Sequence, residues 1–352
     1  MGPAQRPSRS SEHVSAATTC LPGGSPHQTR HRRSMLRWAM ALVAFLCGAA
    51  TVLVVMSLFS QIPAAELRTE RVPECPTSIG DLLELPSNQL AQVDVAVANL
   101  LCGAGLPGAE GWDVQSSIAT LDAWAAHVKR ETDRHMYKFR QSPQEYENSE
   151  GYFRVLLMIC TLQEDFGVCY NRDPKMRAGP TPQNEEDLSF FADARDVFIH
   201  GLLGTGHEWT CSSMPVLYIA VGRRLGYPLK LVQAKGHLFA RWDDGKERFN
   251  IEGTSRGMNT FPDQHYMEWP RPITEKDMKL HRYLASLSPA EEVATFLSQR
   301  GFCLLAHNRA PEAMAAFAAA YAMDSDFYGY VHLVNKMAEK EWDHKWGRLM
   351  GQ

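Results

Sequence analysis

Apolar residues recur every three or four positions from about Ile79 to Gln141, which is the period of an amphipathic helix. The segments LAQVDVAVANLLCG and IATLDAWAAHVKRETDRHMYKF carry this pattern. Ser149 is placed to cap a further helix over SEGYFRVLLMICTLQEDFG. The next segment, NRDPKMRAGPTPQNEED, contains three prolines and predicts either a rim over a site or an ordinary surface loop. The pattern therefore predicts a helical region that ends at this loop.

The period of the apolar positions changes to two from Lys230. LKLVQA, HLFARW and ERFNIEG alternate apolar and polar residues and are predicted to be strands. After Ser286 the segments SPAEEVATFLSQRGFCLLAHN and APEAMAAFAAAYAMD predict one helical hairpin of the tetratricopeptide kind. A single hairpin cannot bury its own apolar face, so it must dock on the main domain or on a protein partner. Helices followed by a sheet predict an α+β fold rather than an alternating α/β fold.

A run of 22 residues without a charge, WAMALVAFLCGAATVLVVMSLF, extends from Trp38 to Phe59. As a helix that rises ~1.5 Å per residue, it is long enough to span a hydrocarbon layer of ~30 Å. The arginine cluster RHRRSMLR precedes it and predicts a cytosolic N-terminus, with the chain after Gln61 across the membrane. The alternative is a cleaved signal peptide that starts at Met35, with small residues in IPAAE. A signal core has only ~7 to 15 apolar residues, which favours the uncleaved anchor.

The charge distribution argues against one class of function. Of 36 basic and 40 acidic residues, six Arg and one Glu lie in residues 1–37, so 30 basic and 39 acidic residues follow. An acidic main domain repels nucleic acid, so no nucleic-acid partner is predicted.

The main domain is predicted to lie outside the cytosol, where disulfides persist, and the sequence allows the pairs Cys75/Cys102 and Cys160/Cys169.

One cysteine, Cys211, directly precedes an apolar segment in TCSSMPVLYIAVGRRLGYPL. Pro215 is tolerated in a helix only in the first turn, so this helix is predicted to begin within a few residues of Cys211. A capping oxygen is available from Thr210, Ser212 or Ser213. Cys211 is then at the positive end of the helix dipole, where a thiolate is favoured and free backbone N–H groups stabilise an oxyanion.

A thiolate nucleophile needs a base and a group that orients the base. His237 opens the strand HLFARW, and Asp244-Gly245 is a strong signal for a two-residue hairpin turn. That turn places His237 directly opposite Glu252, whose carboxylate then accepts a hydrogen bond from one ring nitrogen and leaves the other for Cys211. Asn250 lies on the same face and is the alternative group for orienting the ring.

The segments TCSSMPVLYIAVGRRLGYPL, GHLFARW and FNIEGT resemble the transglutaminase-like superfamily, whose papain-like core has a Cys on a helix N-terminus and a His and an acid on neighbouring strands. More narrowly, the chain resembles a bacterial branch with tetratricopeptide-like helices after the core. The resemblance implies that Cys211 is the nucleophile and His237 the base. Glu252 lies where the family has Asp in Asp-Pro-Thr; here the sequence is Glu-Gly-Thr. No acidic cluster resembles the calcium sites of animal transglutaminases.

The predicted fold is therefore α+β, with a papain/transglutaminase-like core in which the Cys-bearing helix packs on an antiparallel sheet. Flanking helices and an N-terminal transmembrane helix complete it, and residues 36–59 contact the membrane. The predicted organisation is a disordered cytosolic tail (1–34), a transmembrane signal-anchor (35–60), a linker (61–78), a helical lobe (79–185), a transglutaminase-like core (186–285) and a C-terminal helical hairpin (286–352).

The predicted function is a single-pass, extracytoplasmic cysteine acyl-transfer enzyme, of the peptidase, amidase or transglutaminase type, with a protein, peptide or amide substrate. Trp209 and His207 are candidate supporting residues, and Trp209 is either a wall of the cleft or simple packing. His207, Cys211 and His237 match the spacing of no common structural zinc motif, so neither a metal nor a cofactor is predicted. The alternative is a non-catalytic binding or scaffolding module whose C-terminal helices hold a protein.

Overall fold

The computed structural model describes residues 75–170, 188–204, 208–254 and 256–349 of the chain. This part is α+β, as predicted. The helices are α1 (Ile79–Glu84), α2 (Ser87–Leu90), α3 (Val95–Gly103), α4 (Val114–Gln141), α5 (Glu150–Glu164), α6 (Ala194–Val197), α7 (His200–Leu203), α8 (Met214–Arg224), α9 (Asp263–Glu268), α10 (Glu275–His281), α11 (Pro289–Ala306), α12 (Ala310–Met323) and α13 (Tyr328–Leu349). The strands are β1 (Cys169–Tyr170), β2 (Glu208–Trp209), β3 (Leu229–Ala234), β4 (His237–Asp243) and β5 (Arg248–Ile251).

Strands β3, β4 and β5 form an antiparallel sheet in that order, and β1 pairs with β2 in parallel. The predicted strands in LKLVQA, HLFARW and ERFNIEG are thus confirmed. Ala234 pairs with His237, so the turn between β3 and β4 contains only Lys235 and Gly236. Gly236 has φ of +79°, a backbone conformation that favours glycine over other residues.

The turn between β4 and β5 differs from the predicted one. Asp243 pairs with Arg248, so the loop holds four residues instead of the predicted two. The Asp244 side chain explains the longer loop, because its Oδ1 accepts from the backbone N–H groups of Lys246 (2.8 Å) and Glu247 (2.7 Å). The register therefore shifts by two residues, and a shift of two keeps every side chain on its predicted face of the sheet.

Helix α8 lies at the centre of the molecule. Every residue from Met214 to Gly222 is buried, and the helix contacts α3, α4 and α5 as well as β3 and β4. One hydrophobic core includes Leu100 of α3, Leu217 of α8 and Leu304 of α11. The three predicted segments 79–185, 186–285 and 286–352 thus share a single core.

The opposite face of the sheet carries a second, smaller core. It contains Val232 and Phe239 from the sheet and Tyr266 from α9, together with Ile273 and Leu284. The rings of Phe239 and Tyr266 stack in parallel with their centroids 3.8 Å apart. The segment after β5 therefore returns across this face and brings α9 over it.

The C-terminal helices dock on the main domain, which is one of the two outcomes expected for them. Backbone N–H groups of Leu284 and Leu287 donate to the carbonyls of Gln233 and Leu231, both at 2.9 Å, so the chain runs beside β3 before α11 begins. Helices α11 and α12 are the predicted hairpin. A third helix, α13, follows them, and the periodicity did not predict it because this segment is interrupted by many charged residues.

The six cysteines of the described residues are free. The pairings that the sequence allows are therefore not formed: Cys102 is buried in the core and Cys75 is exposed, while Cys160 is half-buried and Cys169 exposed. The predicted tail and membrane anchor lie outside the described residues. Among the described helices, none combines the length and apolar character needed to cross a bilayer.

Candidate active site

Cys211 lies in the turn that leads into α8, as predicted from Pro215. Thr210 organises this turn: its carbonyl accepts from the Met214 N–H (3.1 Å) and its Oγ1 accepts from the Ser212 N–H (3.2 Å). Thr210 is thus the residue that caps the turn, whereas the side chain of Ser213 makes no cap to the helix. In the part of the chain that the structure describes, the Cys211 N–H donates to no backbone carbonyl. It lies beside the first turn of the helix, at the positive end, where backbone N–H groups have no intrahelical partner.

His237 is the first residue of β4 and follows the tight turn at Lys235 and Gly236. It is buried, with only 5 % of its surface exposed. Nε2 of the ring forms a hydrogen bond with Glu252 Oε2 at 2.9 Å. Since Nε2 is occupied by Glu252, Nδ1 is the nitrogen that is left for the thiol of Cys211, which lines the same cavity. The imidazole is therefore bonded to the carboxylate and interacts with the neighbouring thiol.

Glu252 directly follows β5, and its carboxylate is held from three directions. Oε2 accepts from His237 and from the Tyr266 hydroxyl (3.0 Å), and Oε1 accepts from the Thr254 N–H (2.8 Å). Burial acts to raise the pKa of Glu252, but the hydrogen bond and charge of His237 outweigh it and lower the pKa. Glu252 is therefore a carboxylate at neutral pH.

Asn250, the alternative partner for the ring, lies elsewhere in the network. Its Oδ1 accepts from Arg241 Nε (2.7 Å), and its Nδ2 donates to Asp263 Oδ1 (2.7 Å) and to the Phe261 carbonyl (2.9 Å). Arg241 is fully buried and forms an ion pair with Asp263. This group anchors the segment that carries α9, so it is Glu252 and not Asn250 that holds the His237 ring.

The electrostatics of the site favour a charged imidazole. Burial acts to lower the pKa of His237, but the hydrogen bonds to Cys211 and Glu252, with the charges of both, raise it to about 9. The adjacent Tyr266 keeps its proton because burial raises the pKa of its hydroxyl, as does the charge of Glu252. Tyr266 is therefore a hydrogen-bond donor to Glu252 and not a competing base.

Two residues of the site were not predicted from the sequence. Tyr266 donates to Glu252, and Trp269 packs its ring edge-to-face against His237, with centroids 4.7 Å apart. Both come from TFPDQHYMEWPRP, which the sequence pattern assigns only to a packed loop near the sheet edge. Its density of aromatic residues is the one signal that pointed to it. Trp269 remains 38 % exposed and shields one side of the imidazole from solvent.

A cavity of about 120 Å³ lies beside the sulfur. Cys211, His237 and the β3–β4 turn form one wall, and α11 forms the other. The site therefore combines a buried Cys–His–Glu chain with an adjoining space for a ligand.

The remaining predicted residues are less informative. The backbone of Trp209 pairs with Tyr170 in β1–β2, and the role of its side chain stays a prediction. His207 lies outside the described residues. Within those residues, no group of three or more His, Cys, Asp or Glu side chains is arranged to hold a metal ion.

Comparisons with family models, with curated proteins and with solved structures found no match to this chain. The function is therefore argued from the geometry of the Cys211 site.

Proposed function

We propose that this protein is a cysteine acyl-transfer enzyme of the transglutaminase-like type, with Cys211 as nucleophile, His237 as acid and base, and Glu252 as the group that orients the imidazole. The observation that carries the proposal is that Cys211 and His237 line the same cavity, with the His237 Nε2 bonded to Glu252 Oε2 at 2.9 Å. Nucleophile, base and orienting group within hydrogen-bond reach of one another are the arrangement that covalent acyl transfer requires.

In the first half-reaction the Cys211 thiolate attacks the carbonyl carbon of an amide. The S–C bond forms, and the carbonyl electron pair moves to the oxygen, which the Cys211 N–H stabilises at the start of α8. The intermediate collapses when the C–N bond breaks and the His237 imidazolium gives its proton to the leaving nitrogen. The products are a thioester on Cys211 and a free amine.

In the second half-reaction neutral His237 takes a proton from the acceptor, which is water or a second amine. The acceptor attacks the thioester carbon, the S–C bond breaks, and the Cys211 thiolate returns beside the imidazolium. Water as acceptor gives a peptidase or amidase, and an amine gives cross-linking. Glu252 remains ionised throughout and stabilises the imidazolium that forms in each cycle.

The cellular setting is part of the proposal. The apolar run at 38–59 anchors the chain as a single-pass protein, with the catalytic domain on the extracytoplasmic side. Its substrates are then proteins, peptides or other amides outside the cytosol. The excess of acidic residues after residue 37 argues against nucleic acid as a partner.

One observation favours the alternative function, a non-catalytic binding or scaffolding module. Cys211 is only 3 % exposed, so a substrate must enter a confined space to reach it. A module of this kind would keep the fold and bind a protein through its C-terminal helices without forming a thioester.

Acylation of Cys211 separates the two functions. The full chain in detergent is mixed with p-nitrophenyl acetate, and intact and peptide mass spectrometry locate the acetyl group. The proposal expects a burst of p-nitrophenolate and an acetyl thioester on Cys211, both absent in Cys211→Ala. A protein without a burst and without acetyl-Cys211 would support the non-catalytic module.

A further inference from the structure

The cavity beside Cys211 has a second wall that belongs mainly to the C-terminal helices and plays no part in the proposed bond-making steps. This wall is made by Phe191, Thr295, Ser298, Gln299, Phe302 and Tyr330. Four of these residues lie on α11. The C-terminal region therefore borders the space that faces the reacting sulfur.

Helix α11 is held in this position by its contacts with the core. Glu292 is buried on α11, and its carboxylate pairs with Arg223 at the end of α8 through two hydrogen bonds of 2.9 and 2.5 Å. Since α8 also carries the turn of Cys211, this ion pair ties the second wall to the nucleophile. Phe302 also stacks on Phe191, with centroids 4.9 Å apart, and closes the far side of the cavity. The wall is thus fixed relative to Cys211.

The chemistry of the wall is uncharged. Apart from Cys211 and His237 themselves, the only ionisable acid or base among the described residues that line the cavity is the Tyr330 phenol. The hydroxyl hydrogen of Thr295 is used within α11, since Oγ1 donates to the Glu291 carbonyl at 2.9 Å. The Tyr330 hydroxyl interacts with Thr295. The hydroxyl hydrogen of Thr295 is therefore already used within the helix.

Gln299 is the exception. Its side chain lines the cavity and is 92 % buried, being 8 % exposed, yet Oε1 accepts no hydrogen bond from any described residue. A buried amide oxygen without a donor costs about 1 to 3 kcal/mol, and a ligand that supplies the donor recovers this free energy. Gln299 therefore favours a ligand group that carries an N–H or O–H.

We propose that α11 forms the acyl side-chain subsite of the Cys211 centre, and that Gln299 selects a small, uncharged side chain with a hydrogen-bond donor, such as that of serine or threonine. This inference rests on the proposed function. The cavity of about 120 Å³ is several times the ~10 to 15 Å³ that one water molecule needs on this measure, and it suits a side chain of a few non-hydrogen atoms. Among the described residues a charged side chain finds no counter-charge on this wall, and an aromatic one leaves Gln299 Oε1 without a donor.

Peptide aldehydes test the subsite without a known substrate. The Cys211 sulfur adds to the aldehyde carbon and a proton adds to the oxygen, which gives a hemithioacetal and places the neighbouring side chain in the cavity. N-acetyl-threoninal and N-acetyl-valinal are matched in shape and differ in the hydroxyl. Protection of Cys211 against iodoacetamide is measured on the full chain in detergent by peptide mass spectrometry.

The expected result is half-maximal protection at a threoninal concentration about tenfold below that of valinal, because one hydrogen bond to a buried group is gained. N-acetyl-phenylalaninal should protect least. In Gln299→Met, which keeps the length of the side chain but not the amide, the preference for threoninal over valinal should fall to about one. Gln115→Met, an exposed position on α4, should keep the wild-type preference.

Two results would overturn the inference in different ways. If Cys211 of the wild-type protein is alkylated rapidly and threoninal and valinal protect it equally, the proposed subsite is contradicted and the proposed function is not. If Cys211 is alkylated no faster than buried Cys303 and no aldehyde protects it, both the subsite and the proposed function are contradicted. The wild-type comparison decides the matter even where Gln299→Met fails to fold.

Discussion

His237 and Glu252 meet diagonally across the sheet: Nε2 lies 2.9 Å from Oε2, although the register places Glu252 beside Phe239 rather than opposite His237. Diagonal neighbours in antiparallel strands are ~7 to 8 Å apart, a distance that only long side chains bridge. This geometry gives a reason for a glutamate, rather than the shorter aspartate, at this position. The extra methylene supplies the reach.

Shortening this side chain should therefore separate it from the ring. In Glu252→Asp the hydrogen bond to His237 is lost while the charge is kept, and we expect the rate of acylation by p-nitrophenyl acetate to fall about 100-fold, since misplacement by ~1 Å has this effect. The measurement is the burst rate of p-nitrophenolate. Glu164→Asp, at an exposed position, is the control. An unchanged rate in Glu252→Asp would show that the ring needs no carboxylate partner.

The Tyr266→Phe variant tests the hydroxyl group that donates a hydrogen bond to the Glu252 carboxylate. The ring should stay in place because it stacks on Phe239, so only the hydroxyl that donates to Oε2 is removed. We expect the free energy of unfolding to drop by about 1 to 2 kcal/mol, measured by urea denaturation, since the bond is to a charged acceptor. The acylation rate should fall several-fold. A variant as stable and as active as the wild type would remove Tyr266 from the site.

The raised pKa of His237 makes stability depend on pH. The folded pKa, about 9, lies above the unfolded value of about 6.5. A group with a raised folded pKa stabilises the protein fully below the unfolded pKa and loses this contribution as the pH rises through the folded pKa. Stability should therefore decline by on the order of 3 kcal/mol between about pH 6.5 and pH 9.

The lowered pKa of Glu252 acts at the other end of the range. Its contribution is present above the unfolded pKa of about 4.3 and is lost as the pH falls through the folded pKa. The pair should thus stabilise the fold most between about pH 4.5 and 6.5. Urea denaturation at a series of pH values, compared with His237→Gln, measures this. A decline of equal size in His237→Gln would assign it to other groups.

The ion pair between Arg223 and Glu292 should fix α11 on the core. In Arg223→Met the buried Glu292 carboxylate loses its partner, and we expect a loss of about 3 kcal/mol in the free energy of unfolding. The double variant Arg223→Met/Glu292→Leu should recover most of this loss, because no uncompensated charge remains. A double variant as unstable as the single one would mean that the charges themselves hold the helix.

How far the site could be predicted is illustrated by the β4–β5 hairpin. The alternation of apolar and polar residues predicted which side chains share a face of the sheet, and it placed His237, Asn250 and Glu252 on the same face. The register depended on the loop, and the Asp244 side chain lengthened it by bonding to two backbone N–H groups. The predicted register was wrong by two residues, which keeps His237 and Glu252 on the same face of the sheet. An error of one residue would have placed them on opposite faces.

Other parts of the site depend on contacts between distant segments, which periodicity does not report. Tyr266 and Trp269 reach His237 and Glu252 because Arg241, Asn250 and Asp263 anchor the returning chain. Gln299 lies beside Cys211 through the docking of α11. In each case the sequence predicted the helix or loop itself, but not the distant segment against which it packs.

Cys303 is a natural internal standard for the reactivity of Cys211. It is 1 % exposed, against 3 % for Cys211, so the two thiols are matched in accessibility. Burial raises the pKa of Cys303 to about 12, and the charge of Arg300 offsets only part of this effect. Its rate of alkylation reports what burial alone does to a cysteine in this protein.

The most direct test of the central claim is the rate at which iodoacetamide alkylates the two cysteines in the folded chain, with and without His237. The proposed pairing of Cys211 with His237 as its base predicts that at pH 7 Cys211 reacts at least about 100-fold faster than Cys303. It also predicts that His237→Ala removes most of this difference. Equal rates for Cys211 and Cys303, unchanged by His237→Ala, would contradict it.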